Sequence, residues 1–226
     1  MRRKKNRILL LLFCITFSPL TSANNSICHV WGNYEYYKIL SQTNSVHRTD
    51  SLCRDIILQM QVCGKDTFFS TPISIGGFSP IDILYSINII DSTNAILNTD
   101  NNSMSLEYIG LTTIHDAYCF AKNYYTHRWF CGEYNVTEMG SEYVFTVQFT
   151  DDGYIVKDDS VVYTYGLDAD VAGQDYIWVR DCVSLSLSFF LIYKEEDSFR
   201  LYISEVIDVA DSIFPKGNLM YTLIKL

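Results

Sequence analysis

The chain has 226 residues and a formal net charge of −9, from 17 Lys and Arg against 26 Asp and Glu. Charged residues are 19% and aromatics 15% of the chain, enough apolar material for a core and too much for a disordered polymer. The length suits one large β domain or two small ones. The acidic balance excludes nucleic acid as a partner, because phosphate binding needs the opposite sign.

Residues 1–23 read as a secretory signal peptide. Arg2, Arg3, Lys4, Lys5 and Arg7 form a basic head, residues 8–17 are apolar, Pro19 breaks the run, and Thr21, Ser22 and Ala23 are small residues at a cleavage position. The apolar run is short of the about 20 residues a spanning helix needs. No later stretch is long and apolar enough, since Ser184, Ser186 and Ser188 interrupt the best candidate. The expected product is exported: extracellular, or periplasmic in a bacterium. The signal carries five of the 17 bases, leaving 12 bases against 26 acids, net −14. Residues 133–211 hold 17 acids and 4 bases. That favours a cationic partner, an amine or a basic protein, although an acidic surface also serves solubility alone.

Taken in order, the mature chain alternates like a β protein. Aromatic-rich residues 34–40 predict a strand, as do residues 55–62 and 81–90, with a break at Gly76 and Gly77. Residues 98–103 are polar and predict a long exposed loop. The clearest strand is 142–150, where Tyr143, Phe145, Val147 and Phe149 share one face. Asp151, Asp152 and Gly153 supply a hairpin turn, and residues 154–156 begin the return strand. Val161, Tyr163 and Tyr165 alternate next, then residues 176–182. In 183–193 the odd positions are apolar and serines oppose them over the first half. Ile203, Val206, Ile207, Ala210, Ile213 and Phe214 recur at helical spacing, with Asp197 or Ser198 as the cap and Pro215 as the stop. Residues 219–225 predict a closing strand. Antiparallel strands with short turns must close or stack to remove their edges. The expected fold is therefore all-β: an antiparallel up-and-down barrel with one C-terminal amphipathic helix outside it. A two-layer β-sandwich is the alternative. Residues 24–226 are expected to form one domain with an insert around 91–130.

Cys14 lies in the signal. Cys28, Cys53, Cys63, Cys119, Cys131 and Cys182 remain, and an even count in an exported chain predicts three disulfides. Cys119 and Cys131 are close enough in sequence to close a local loop. Asn24, Asn101 and Asn135 begin N-x-[ST] sequons, glycosylation sites in a eukaryotic or viral setting.

Three stretches resemble the lipocalin superfamily. Residues 31–39, Trp-Gly-Asn-Tyr-Glu-Tyr-Tyr-Lys-Ile, are similar to its opening strand, with Tyr34 where Trp is usual. Residues 168–182 are similar to its Thr-Asp-Tyr turn and the strand after it, and residues 189–194 to its last barrel strand, with Lys194 for the usual Arg. Tyr36 and Tyr37 with Cys53 also resemble the opening of tick salivary lipocalins, which include amine binders. The resemblance implies a barrel enclosing a small ligand and a cation–π contact between Lys194 and Tyr34. The inward residues it selects are Tyr85, Tyr143, Phe145, Phe149, Tyr163, Tyr165 and Trp178, whose rings and hydroxyls suit a hydrophobic or cationic guest. Aromatics of this kind also simply fill cores.

No enzyme motif is present: GxSxG, the P-loop, HExxH and GxGxxG are all missing, and His29, His47, His115 and His127 are far apart in sequence. No cofactor or metal is expected. The sequence thus predicts a non-enzymatic exported carrier or scavenger of a small hydrophobic or amine ligand. The alternative is an immune-modulating decoy that binds basic chemokines or cytokines through an acidic β-sandwich.

Overall fold

The computed structural model describes residues 27–72, 85–99, 102–113, 120–169, 173–196, 198–204 and 216–226. Fourteen strands and three helices are described. The N-terminal part holds β1 (Ile27–Asn33), α1 (Tyr34–Thr43), α2 (Val46–Leu52), β2 (Gln59–Cys63), β3 (Asp66–Ser70), β4 (Tyr85–Ile89), β5 (Asn94–Thr99), β6 (Ser103–Thr113) and α3 (Phe120–Phe130). Its strands make one sheet in the order β3-β2-β1-β6-β5-β4, with antiparallel pairing throughout.

The remaining eight strands close a barrel: β7 (Gly132–Glu138), β8 (Val144–Phe149), β9 (Tyr154–Lys157), β10 (Ser160–Ala169), β11 (Asp175–Asp181), β12 (Leu187–Glu195), β13 (Ser198–Ser204) and β14 (Lys216–Lys225). Each pairs antiparallel with its sequence neighbour, and β14 returns to β7 with Tyr221 opposite Glu138 and Lys225 opposite Tyr134. Closure leaves no exposed strand edge. The expected barrel is thus present, and the two-layer sandwich is not. Its strands all come from 132–225, the acid-rich part of the chain.

The helices depart from the expectation. Residues 34–40 form α1, not a strand. Asn33 caps it by accepting from the Glu35 N–H at 3.1 Å, and Asn44 ends it in the left-handed region. Tyr36 and Leu40, four apart, are buried on one face, while Tyr34 and Tyr37, three apart, stack at 5.5 Å. Local capping and this period outweigh the weak strand preference of tyrosine. The proposed C-terminal helix meets a strand at its start: Ser198, its suggested cap, begins β13, and Ile203 pairs with Phe190. Residues 205–215 lie outside the described residues. Of the loop expected at 98–103, Asn98 and Thr99 end β5 and Ser103 begins β6, while Asp100 and Asn101 lie outside the described residues.

The six-stranded sheet buries Trp31, Met60, Phe69, Leu97 and Leu106. A larger cluster joins α1 and α3 to the barrel interior, and its centre is Phe130. The Phe130 ring touches Tyr134, Phe149, Tyr165 and Phe199 at centroid distances of 5.5, 4.9, 6.1 and 4.8 Å. These come from β7, β8, β10 and β13 at the same end of the barrel, so the end of α3 forms a floor. Truncation to Phe130→Ala is expected to cost about 3–5 kcal/mol of stability, read by chemical denaturation.

The cysteines correct the three-disulfide expectation. Cys28 and Cys63 face each other across β1 and β2 and are bridged. Cys53 is buried, Cys131 half-buried and Cys182 exposed, and all three are free thiols. Cys119 lies outside the described residues. Burial pushes the Cys53 thiol up to about 12, with the Asp50 carboxylate adding to the rise, so it is unreactive at neutral pH. Alkylation of the folded protein followed by peptide mapping should modify Cys182 first and Cys53 only after unfolding. A non-reduced digest should yield the Cys28–Cys63 peptide pair.

Candidate functional site

The barrel holds an open-mouthed cavity of about 370 Å³, at the lower end of the range that holds small molecules, about 300–1,000 Å³. Alternation along each strand decides which residues reach it. From β8, Phe145, Val147 and Phe149 point in; from β11, Ile177 and Val179; from β12, Phe190. A register shift between Val161 and Tyr163 in β10 turns both Val162 and Tyr163 toward the cavity. Tyr221 and Leu223 of β14 complete the apolar wall. Polar groups gather at the end away from Phe130: Lys157, Asp181, Ser186 and Ser188. Apolar side chains also stand exposed on the turns at that end, with Val183 93%, Leu185 69% and Tyr143 67% exposed.

The seven aromatics expected to face inward divide. Phe145, Phe149 and Tyr163 line the cavity. Tyr165 is buried in the floor, its hydroxyl donating to the Thr150 carbonyl at 2.8 Å. Tyr143 sits just before β8 on the rim, stacked on Phe145 at 6.1 Å. Trp178 is on the outer face of β11, over Gly166, where an added Cβ would clash with the indole. Tyr85 belongs to the other sheet, exposed and edge-on to Phe69 at 4.9 Å. The residues missed were the polar set and the Ile177–Val179 face. Charge gave no signal of sidedness, since Arg180 shares a face with Trp178 and Asp181 shares one with Ile177 and Val179.

The contact between Lys194 and Tyr34 is not made. Lys194 donates to Asn44 Oδ1 at 2.8 Å and lies 5.5 Å from the Phe199 ring centre. Tyr34 instead faces Lys38 and Arg128, at 5.6 and 5.7 Å. Of the sequon asparagines, Asn135 lies in β7 and accepts from the Thr146 hydroxyl at 3.1 Å; Asn24 and Asn101 lie outside the described residues.

Below the floor a buried polar junction ties the helices to the barrel. Lys122 of α3 donates to Asp50 Oδ2 at 2.8 Å and to Asp168 Oδ1 at 2.6 Å, and the Tyr36 hydroxyl donates to Asp50 Oδ1 at 2.8 Å. Burial works to lower the Lys122 pKa, but the two carboxylates outweigh it and hold the ammonium above its ordinary value. Burial raises the Asp50 carboxyl, with Lys122 opposing. Asp175 of β11 accepts from the Val46 and His47 N–H groups at 3.1 and 2.7 Å. Every charge here has a partner, so the junction is built to hold rather than to react. Among the described residues, no group of three His, Cys, Asp or Glu is placed to hold a metal ion, and no helix is long and apolar enough to cross a membrane.

His127 also belongs to the floor. Its Nε2 donates to the Tyr165 carbonyl at 3.1 Å, and its ring packs on Gly153, whose φ of +89° and contact distance leave no room for a side chain. Burial lowers its pKa, with weaker opposition from the Tyr165 carbonyl and from Asp152 and Asp151. No known protein-family profile, characterised protein or solved structure matches the chain.

Because His127 resists protonation when folded, the unfolded chain takes up the extra proton first. Stability is expected to hold above the ordinary histidine pKa of about 6.5 and to fall as pH drops below it. Asp50 and Asp175, whose carboxyls are raised, act with the opposite sign. Thermal melts between pH 7 and 5 should therefore show a smaller acid-side loss in His127→Gln, which keeps a donor for the Tyr165 carbonyl.

Proposed function

We propose that this chain is an exported, non-enzymatic binding protein that encloses a small hydrophobic guest in its barrel. The observation that carries the reading is the cavity of about 370 Å³, walled by Phe145, Phe149, Ile177, Val179 and Phe190 and floored by the end of α3. An apolar hollow of that size with a few polar groups at one end is the form of a small-molecule site. The exposed rim residues Tyr143, Val183 and Leu185 support an approach for an apolar guest from the same end. The basic head and apolar run of residues 1–23 support export. The charges of Lys122, Asp50 and Asp168 are paired within the fold, which supports the cavity rather than that junction as the working site.

Val179→Trp tests the reading by filling the hollow from its wall. An environment-sensitive apolar fluorophore should bind the natural chain and lose most of its binding to the variant, with the barrel signature in circular dichroism retained. Unchanged binding in Val179→Trp would overturn the cavity reading. Salt-sensitive capture of basic proteins by a chain that binds no small molecule would favour the acidic surface as the working part.

A further inference from the structure

We infer that the guest is an anionic amphiphile, a medium-chain carboxylate, whose head is held by Lys157; this rests on the barrel cavity being a ligand site. The sequence alone points the other way, since 17 acids and only 4 bases in residues 133–211 favour a cationic partner. The inner wall does not follow the surface charge. Two charged side chains line the cavity among the described residues, Lys157 and Asp181.

Their circumstances differ. Asp181 is engaged by its own turn: Oδ1 accepts from the backbone N–H groups of Val183 at 2.8 Å and Ser184 at 2.6 Å. Those two donors stabilise its ionised form and fix it as the start of the link from β11 to β12. Lys157 makes no ion pair among the described residues, in a part of the chain where carboxylates outnumber bases fourfold. Its ammonium stands 4.4 Å from the centre of the Phe145 ring, and both residues line the cavity. The ammonium of a half-buried lysine beside an apolar hollow, with a ring face as its neighbour, is arranged for an anion that arrives with an apolar tail. The tail lies along Phe145, Val179 and Phe190 while the head meets Lys157 where water is partly excluded and the attraction is stronger. An amine of the same length meets a like charge at that place. The volume limits the guest to one unbranched chain of medium length rather than a fused-ring lipid.

Titration calorimetry with three probes of equal length, dodecanoate, dodecanol and dodecylamine, on the full mature chain below their micelle concentrations tests this. Dodecanoate should bind at least about tenfold more tightly than dodecanol, the size of effect of one charged contact, and dodecylamine least tightly. Lys157→Gln should reduce dodecanoate to the level of dodecanol and leave dodecanol unchanged, which reports an intact cavity; Lys157→Arg should retain most of the preference. Equal binding of the three probes, or a dodecanoate affinity unaltered in Lys157→Gln, would overturn the assignment of the head while leaving the cavity as a site. Absence of binding by all three would remove the cavity reading and this inference with it.

Discussion

The hollow in this molecule exists because one end of the barrel is stopped by an aromatic side chain from outside it. An eight-stranded barrel has an interior that its own side chains can nearly fill. Here the filling is unequal. Phe130, carried in by α3, meets Tyr134, Phe149, Tyr165 and Phe199 and packs that end solid. The floor is packed ring on ring, whereas in the wall above it the rings of Phe145, Phe190 and Tyr221 are spaced by valines such as Val136, Val147 and Val179. Floor and hollow are two results of the same distribution of side-chain volume.

That floor must be held in register with the strands, and the polar junction does so. Lys122 lies about two helical turns before Phe130 on the same helix and reaches Asp168 at the end of β10 and Asp50 on α2. Asp175, at the start of β11, caps α2 through two backbone N–H groups. Buried ion pairs of this kind add little net stability, but removing one partner leaves a charge without compensation and costs about 3–5 kcal/mol. Their contribution is geometric: they define where the helices rest on the barrel end.

Much of the barrel was legible in the sequence. The alternation in 142–150 and the Asp-Asp-Gly turn after it correspond to β8 and its link to β9, and the strands from 160 to 195 follow the same logic. What the pattern did not reveal was sidedness. In 176–182 either face looks apolar, and choosing the aromatic one put Trp178 inside; the structure turns it out over Gly166 and brings in the slimmer Ile177 and Val179. The helix at 34–43 was hidden because tyrosines favour strands on average, while its caps, Asn33 and Asn44, are residues equally at home in turns. Cysteine parity misled because pairing depends on which strands become neighbours: Cys28 meets Cys63, whereas Cys53 is enclosed by a hydrophobic cluster. Lys157 carried no signal at all, since a strand of four residues is too short to show which side a lysine takes.

The N-terminal helices pack on the stopped end of the barrel, and the N-terminal sheet packs on those helices. The helices α1 and α3 lie between that sheet and the barrel interior. The sheet can therefore be rebuilt without touching the strands of the barrel, provided the plug between the two parts keeps its shape.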